Sequence, residues 1–551
     1  MSSKPPSTLA HPARRRPRNQ PGTGTRHKAR LRRRPAQRRS SRSRLLNHRP
    51  RARPPMPELI STELAADAAA FAVALPASVE MPAGAGKTHL LSATAKHIVE
   101  CGGRVLVLTH TNAGVYAINA RMKRFGITTG VQVSTITSFA YRLARAYPDL
   151  GQLQVPKVMV PAHSKAYIDA ATRVASSKHI QAVLAASFTH LLVDEYQDCN
   201  ESHHAFVSTI RAAVPDTGVL GDRLQAIFGF NDRLADWAAV VAEYPPHPTT
   251  IKPWRWSGHN DSLGGWLLAI RPLMVPGHVV NWTNIALPAG VTFQNIAGNQ
   301  QGVTQAAFAT YPANETVLII AAWPNTARTI AGNLNGTFTV MEEVAGRFMA
   351  ESLANLVATD PAAYALWLFD LTKSCHCGHG VLDTVTLRNR YANGRVAGDL
   401  LAGGSGSRAG AEAAIGAFDL VVSNPTLSNL ATAMDIIPAT PALRLHSHEA
   451  WYDVQTSIRG AVAQGNNPEV LLEELAKARD VMRYAGRRER KRIISRTLLV
   501  KGLEYDHVII ADVGDHAKVN DLYVALSRAR KSITILGSSD TLRLQPSPNG
   551  R

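Results

Sequence analysis

Cysteine is scarce. Four in 551 residues (Cys101, Cys199, Cys375 and Cys377) cannot build a disulfide framework, which predicts a reducing, cytoplasmic setting. Long apolar runs are missing too: the most apolar stretch, 65–77, contains Asp67 and Pro76 and falls short of the roughly 20 residues of a membrane span. No charged n-region leads into an apolar h-region, so no bilayer crossing is expected. Acidic residues are absent from positions 1–55, which hold 18 Lys and Arg, so the net charge of +20 is concentrated there. Residues 56–551 carry 43 basic against 41 acidic side chains, and this body is nearly neutral. With 45% hydrophobic and 19% charged residues, the chain can fill two to four cores at about 100–200 residues each. A fibrous or wholly disordered protein is excluded.

The basic tail runs Arg14-Arg15-Arg16, Arg32-Arg33-Arg34 and Arg38-Arg39, interleaved with Pro, Ser and Gln, and is expected to be disordered. Two readings stand: a salt-sensitive tether for phosphate backbones, or sequence upstream of a start at Met56, where ordinary composition begins. Its prolines argue against a transit-peptide helix. The tail decides nothing about the body.

The strongest local signal is Met81-Pro82-Ala83-Gly84-Ala85-Gly86-Lys87-Thr88, between a short strand at 77–80 and a helical pattern over 88–100. Glycines let the amides of Ala83, Gly84, Ala85 and Gly86 turn toward phosphate oxygens, Lys87 brings a point charge, and Thr88 offers a hydroxyl to Mg²⁺. The first position of this pattern is ordinarily Gly, and here it is Met81. A second signal is Leu191-Leu192-Val193-Asp194-Glu195, an apolar run ending in two carboxylates. At a strand's C-terminal end, Asp194 would reach a metal and Glu195 would orient and deprotonate an attacking water. Between these signals, strands at 105–109 and 131–136 alternate with helices at 113–125 and 138–147, which predicts an α/β, doubly wound parallel sheet.

These residues resemble the UvrD/Rep-like superfamily 1 DNA helicases, in order over most of 78–537. Asp194-Glu195-Tyr196-Gln197-Asp198 is similar to that family's Asp-Glu-x-Gln-Asp. Thr109-His110-Thr111-Asn112-Ala113 and Ser134-Thr135-Ile136-Thr137-Ser138-Phe139 resemble motif Ia and the motif after it. The run from Gly221 to Phe230 resembles motif III, and Pro253-Trp254-Arg255 the arginine of motif IV. Val500 to Tyr505 and Tyr523 to Arg530 are similar to motifs V and VI.

The resemblance implies two RecA-like P-loop NTPase domains in a compact form. The first spans 56–262 with a small 1B-like insertion at about 142–188, and the second spans 263–340 and 490–541. A mostly helical 2B-like insert occupies 341–489. It also implies ATP and Mg²⁺ as cofactors, with Lys87, Thr88, Asp194 and Glu195 in the roles above. Gln225 would sense the γ-phosphate or its water, Arg255 and Arg528 would reach the phosphates, and Glu504 the nucleotide sugar. Phe228 and Phe230 would stack on bases, with His110 at a position that is commonly aromatic, while Thr111 and Ser138 would bind backbone phosphates. The implied partner is single-stranded or partly duplex DNA, travelled 3′ to 5′.

Departures from the pattern bear on function. No Gln lies between Met56 and Lys87 to read adenine, and Leu498 stands where motif V has histidine. The insert shows no family motif and contains the Gly/Ser run 403–407. Its Cys375-His376-Cys377-Gly378-His379, with His446 and His448, admits a zinc site, but Cys-x-Cys is not the usual spacing and a reduced polar loop is favoured. Two functions remain: a DNA translocase or helicase, and an ATP-gated nucleic-acid-binding subunit serving a partner such as a nuclease or repair protein. Gln225, Arg255 and Arg528 favour the first, Leu498 and the insert the second. A P-loop kinase of small metabolites leaves Phe228, Phe230 and the run 501–504 unexplained.

Overall fold

Two all-parallel sheets organise the chain. The computed structural model describes residues 59–157, 159, 163–228, 232–299, 301–343, 346–382, 384–402, 410–485 and 490–547. The basic tail, Phe230 and the Gly/Ser run 403–407 lie outside the described residues.

The first sheet is built from β1 (Ala77–Glu80), β2 (Val105–Thr109), β3 (Val131–Thr135), β4 (His190–Val193) and β5 (Asp216–Gly221), in the order β1-β5-β4-β2-β3. Its central strands are apolar without alternation, Val105 to Leu108 and Leu191 to Val193, all fully buried. That is what a sheet covered by helices on both faces requires. The helices Lys87–Glu100, Asn112–Arg124 and Ile136–Ala146 form the crossovers, as the alternating pattern predicts.

Further along come β6 (Val279–Asn281), β7 (Val291–Asn295), β8 (Val317–Ile320), β9 (Thr339–Val340), β10 (His376–Cys377), β11 (Arg444–Leu445), β12 (Arg492–Ser495), β13 (Tyr505–Ile510), β14 (Ala529–Gly537) and β15 (Thr541–Arg543). The second sheet runs β7-β14-β13-β8-β12-β9, again all parallel. Its order repeats the first: β7, β14, β13, β8 and β12 stand where β1, β5, β4, β2 and β3 stand. Both lobes are RecA-like. The second core reaches back to Trp256, whose indole N–H donates to the Ala529 carbonyl at 2.7 Å, so the Pro253–Trp256 turn packs on the second lobe.

Between β9 and β12 the chain is mostly helical and has a core of its own, including Phe369, Tyr391, Phe418 and Trp451. The Cys-His run divides here: Cys375 ends the helix Tyr364–Cys375, and His376 and Cys377 form β10, antiparallel to β11. Cys375 is buried, and its carbonyl accepts the amides of His446 and Ser447 at 3.0 and 3.1 Å. Among the described residues no group of three or more His, Cys, Asp or Glu side chains is arranged to hold a metal ion. Among the same residues no helix is long and apolar enough to cross a membrane.

Candidate nucleotide and nucleic-acid site

The glycine-rich turn leaves β1 and enters the helix Lys87–Glu100. Gly84 (φ +70°) and Gly86 (φ +97°) adopt left-handed backbone, which glycine takes without steric cost. A Cβ at Gly84 would also meet the Trp256 ring at 2.7 Å and Arg255 Cβ at 2.8 Å. Met81, in place of the pattern's first glycine, is buried in the first core, and its amide extends the sheet by donating to the Gly221 carbonyl at 3.0 Å. The buried Lys87 ammonium donates to the Met81 and Pro82 carbonyls of its own loop at 3.0 and 3.4 Å. The second lobe is stitched to this loop by Tyr523, whose hydroxyl accepts the Ala83 amide at 3.2 Å; the Arg255 amide donates to the Gly84 carbonyl at 3.1 Å. Ala85 is buried, and Thr88 is half-buried in the first turn of the helix.

At the end of β4, the Asp194 amide donates to the Leu108 carbonyl at 2.8 Å and the residue is buried. Glu195 has φ +57°, a left-handed conformation uncommon for a side chain with Cβ, and its amide donates to Asp194 Oδ1 at 3.0 Å. Gln197 ties this turn to β5: its side-chain amide donates to Glu195, and its Oε1 accepts the Asp222 amide at 2.9 Å. Burial, with Glu195 adjacent, raises the Asp194 carboxyl. Burial pushes Glu195 the same way, but Lys87 and Lys501, the Gln197 hydrogen bond and Arg528 outweigh it and hold that carboxyl below its ordinary value.

Arg528 is fully buried; its Nη2 donates to Gln225 Oε1 at 3.3 Å and its Nη1 to the Leu503 carbonyl at 3.2 Å. Burial, with Arg255 beside it, lowers its guanidinium to about 9, still charged at neutral pH. Arg255 Nε donates to Glu504 Oε1 at 2.9 Å, and its Nη1 to the Ser527 carbonyl at 2.5 Å. Lys87, Asp194, Glu195, Gln225, Arg255, Glu504 and Arg528, far apart in sequence, therefore meet where the two lobes face each other.

On the same face, Phe228 is 39% exposed, with the Lys501 ammonium 5.0 Å from its ring centre. That ammonium also donates to both carboxylate oxygens of the buried Asp198, at 2.5 and 2.6 Å. Thr111, two residues beyond β2, is a helix cap, accepting the Gly114 amide at 3.0 Å. Thr135 ends β3 similarly and donates to the Ser138 hydroxyl at 2.7 Å. His110 is turned inward: its Nε2 is 3.3 Å from Cys199 Sγ, and its ring stands edge-on to His203. Burial, His203 and Lys501 lower its pKa well below the ordinary value, so the ring is neutral. Burial pushes the Cys199 thiol up, which leaves it unreactive.

Sequence reasoning missed three residues. Trp254, 52% exposed, has its indole 3.2 Å from where a Cβ of Gly86 would lie. Tyr523 lies inside the stretch matched to motif VI, yet nothing marks its hydroxyl as the partner of the Ala83 amide. Arg271 donates to Asp222 Oδ1 at 2.6 Å and Glu80 Oε1 at 3.1 Å and lies over the Tyr523 ring, clamping the second lobe to the first. The one available signal was a single cation closing the apolar helix Asp261–Ile270. Arg271→Ala leaves the fully buried Asp222 carboxylate without its cation and should cost about 3–5 kcal/mol. Thermal denaturation checks this: the midpoint should fall clearly, and an unchanged midpoint would contradict the clamp.

Residues 164–242 match the family described as UvrD/REP helicase N-terminal domain, a stretch that contains Asp194, Glu195, Gln225 and Phe228. Among solved structures 126 chains match. One of them, the Pif1 helicase from Candida albicans, is 12% identical with a TM-score of 0.30, covering 50% of this chain and 55% of that one. The match thus spans about half the length of that helicase. No curated protein matches the chain. Fold and site define a two-lobed P-loop protein of RecA-like build. Within that class, residues 164–242 are similar to the UvrD/REP helicase N-terminal domain.

Proposed function

We propose that the protein is an ATP-dependent single-stranded DNA translocase or helicase that couples Mg-ATP hydrolysis to movement 3′ to 5′ along single-stranded or partly duplex DNA. One observation carries this reading: Arg528 of the second lobe is bonded to Gln225 of the first, within reach of the Glu195 that Lys87 also faces. A catalytic cation in one lobe and the phosphate loop in the other make closure conditional on the triphosphate.

In this reading the amides of Ala83 to Gly86 and the Lys87 ammonium hold the triphosphate. Thr88 and Asp194 present hard oxygen donors of the kind that suits Mg²⁺, which when bound supplies charge neutralisation to the phosphates. Glu195, kept ionised, accepts the proton of the attacking water, and Gln225 orients that water. Arg528 and Arg255 meet the charge that develops on the transferred group. Glu504 takes the sugar, and Trp254 offers an aromatic face to the base beside Gly86. Phe228 stacks on a DNA base, with Thr111 and Ser138 on backbone phosphates. The lobes then correspond to 56–262, with its insertion at 142–188, and to 263–340 with 490–541; 341–489 is the regulatory insert. A reducing cytoplasm suits the reduced cysteines.

Lys501 supports the coupling of strand to nucleotide, because one ammonium touches both the stacking ring of Phe228 and Asp198, four residues from the metal-binding carboxylate. Lys501→Gln should reduce the stimulation of ATP turnover by DNA about tenfold, a typical coupling magnitude. Stimulation equal to the parent's would contradict that link. Leu498, an apolar residue at the histidine position of motif V, favours the second reading, an ATP-gated subunit for a nuclease or repair partner. ATP turnover with and without an oligothymidylate, with Lys87→Ala as background, tests the ATPase. A strand-displacement assay with the protein alone separates the motor from the gated subunit. Turnover indifferent to DNA would count against both.

A further inference from the structure

Of the eight tryptophans, only Trp254 and Trp323 are exposed. Trp254 stands at the phosphate loop. Trp323, 62% exposed, has no part in the site above, and an indole left in water forgoes the large apolar burial that ordinarily justifies this residue.

The repeated strand order says where Trp323 lies. In the first sheet β2 is flanked by β4 and β3; in the second β8 is flanked by their counterparts, β13 and β12. After β2 the chain passes His110 and enters the helix Asn112–Arg124 with Thr111 as the N-cap. After β8 it passes Ala321 and Ala322 and enters the helix Pro324–Asn333 with Trp323 as the N-cap. Trp323 is thus the second lobe's positional counterpart of Thr111. The neighbouring strand is in register through Ile320 and Ser495, and the Ala321 amide donates to the Ser495 carbonyl at 2.9 Å. That strand leads through the helix Thr497–Val500 to Lys501, which reaches across to Phe228. Trp323 therefore leaves the sheet at the same end as Lys501, one strand over.

We propose that Trp323 is a base-stacking contact for single-stranded DNA on the second lobe, paired with Phe228 on the first. This deepens the strand-tracking reading and rests on it. A π-face accepts every base, so the contact is tolerant of sequence. Because the two platforms ride on different lobes, closure over nucleotide changes their spacing, and with it the length of strand between them.

Anisotropy of a labelled oligothymidylate, titrated with the full chain at several salt concentrations, tests the proposal. Trp323→Ala should weaken binding about tenfold, while Trp323→Phe, which keeps an aromatic face, should stay within about threefold of the parent. The slope of affinity against salt should not change in either variant, since no cation is lost. The melting midpoint should also hold, because the side chain is exposed. Quenching of indole emission by the oligonucleotide should shrink in Trp323→Phe even where affinity is kept. Parental affinity in Trp323→Ala overturns the inference while leaving the motor reading intact. A parent protein that binds no single strand overturns both.

Discussion

Glu195→Gln should bind ATP with affinity near the parent's and hydrolyse it about 10²–10⁴-fold more slowly. The substitution keeps the side chain's size, and the residue's unusual left-handed backbone is set by its place between β4 and the turn that follows. What changes is basicity. The parent carboxylate is held ionised despite burial because Lys87, Lys501 and Arg528 stand around it and Gln197 bonds to it. A buried anion surrounded by cations can accept a proton as the leaving phosphate spreads its own charge; an amide cannot. Retained nucleotide binding, read by a fluorescent ATP analogue, separates this effect from collapse of the loop. Turnover at the parental rate would remove Glu195 from the role of general base.

Arg528→Ala should lower strand-stimulated turnover by about 10³–10⁵, the range for an arginine supplied across an interface to a phosphoryl transfer. Its guanidinium donates to two acceptors at once, Gln225 Oε1 in the first lobe and the Leu503 carbonyl in the second. Arg528→Lys preserves charge but not that fork, so most of the loss should remain. Because Arg528 is fully buried, a melting curve must accompany the rate. A folded variant with parental turnover would contradict the placement of this cation at the reacting phosphates.

How much of this was legible in sequence depends on how local each determinant is. The strands β2, β4 and β8 announce themselves as apolar runs, because burial on both faces leaves no other pattern, and the crossover helices by their period. The phosphate loop and the Asp194-Glu195 pair are equally local, since glycine spacing and strand end lie within a few residues. Arg271 was not legible: its partners Glu80 and Asp222 are 191 and 49 positions away, and nothing near it marks a clamp. The inward turn of His110 was hidden for the same reason, as Cys199 and His203 come from another crossover. The Cys375 to Cys377 run read as a loop because it divides between a helix end and a two-residue ladder with Arg444 and Leu445, too short to leave a periodic trace.

The central claim is that one nucleotide is gripped by both lobes, and amide hydrogen exchange measured with and without a non-hydrolysable ATP analogue tests it most directly. Added analogue and Mg²⁺ should slow exchange together in 81–90 of the first lobe and in 501–505 and 523–530 of the second. Protection confined to 81–90, with the second-lobe segments exchanging as before, would contradict it.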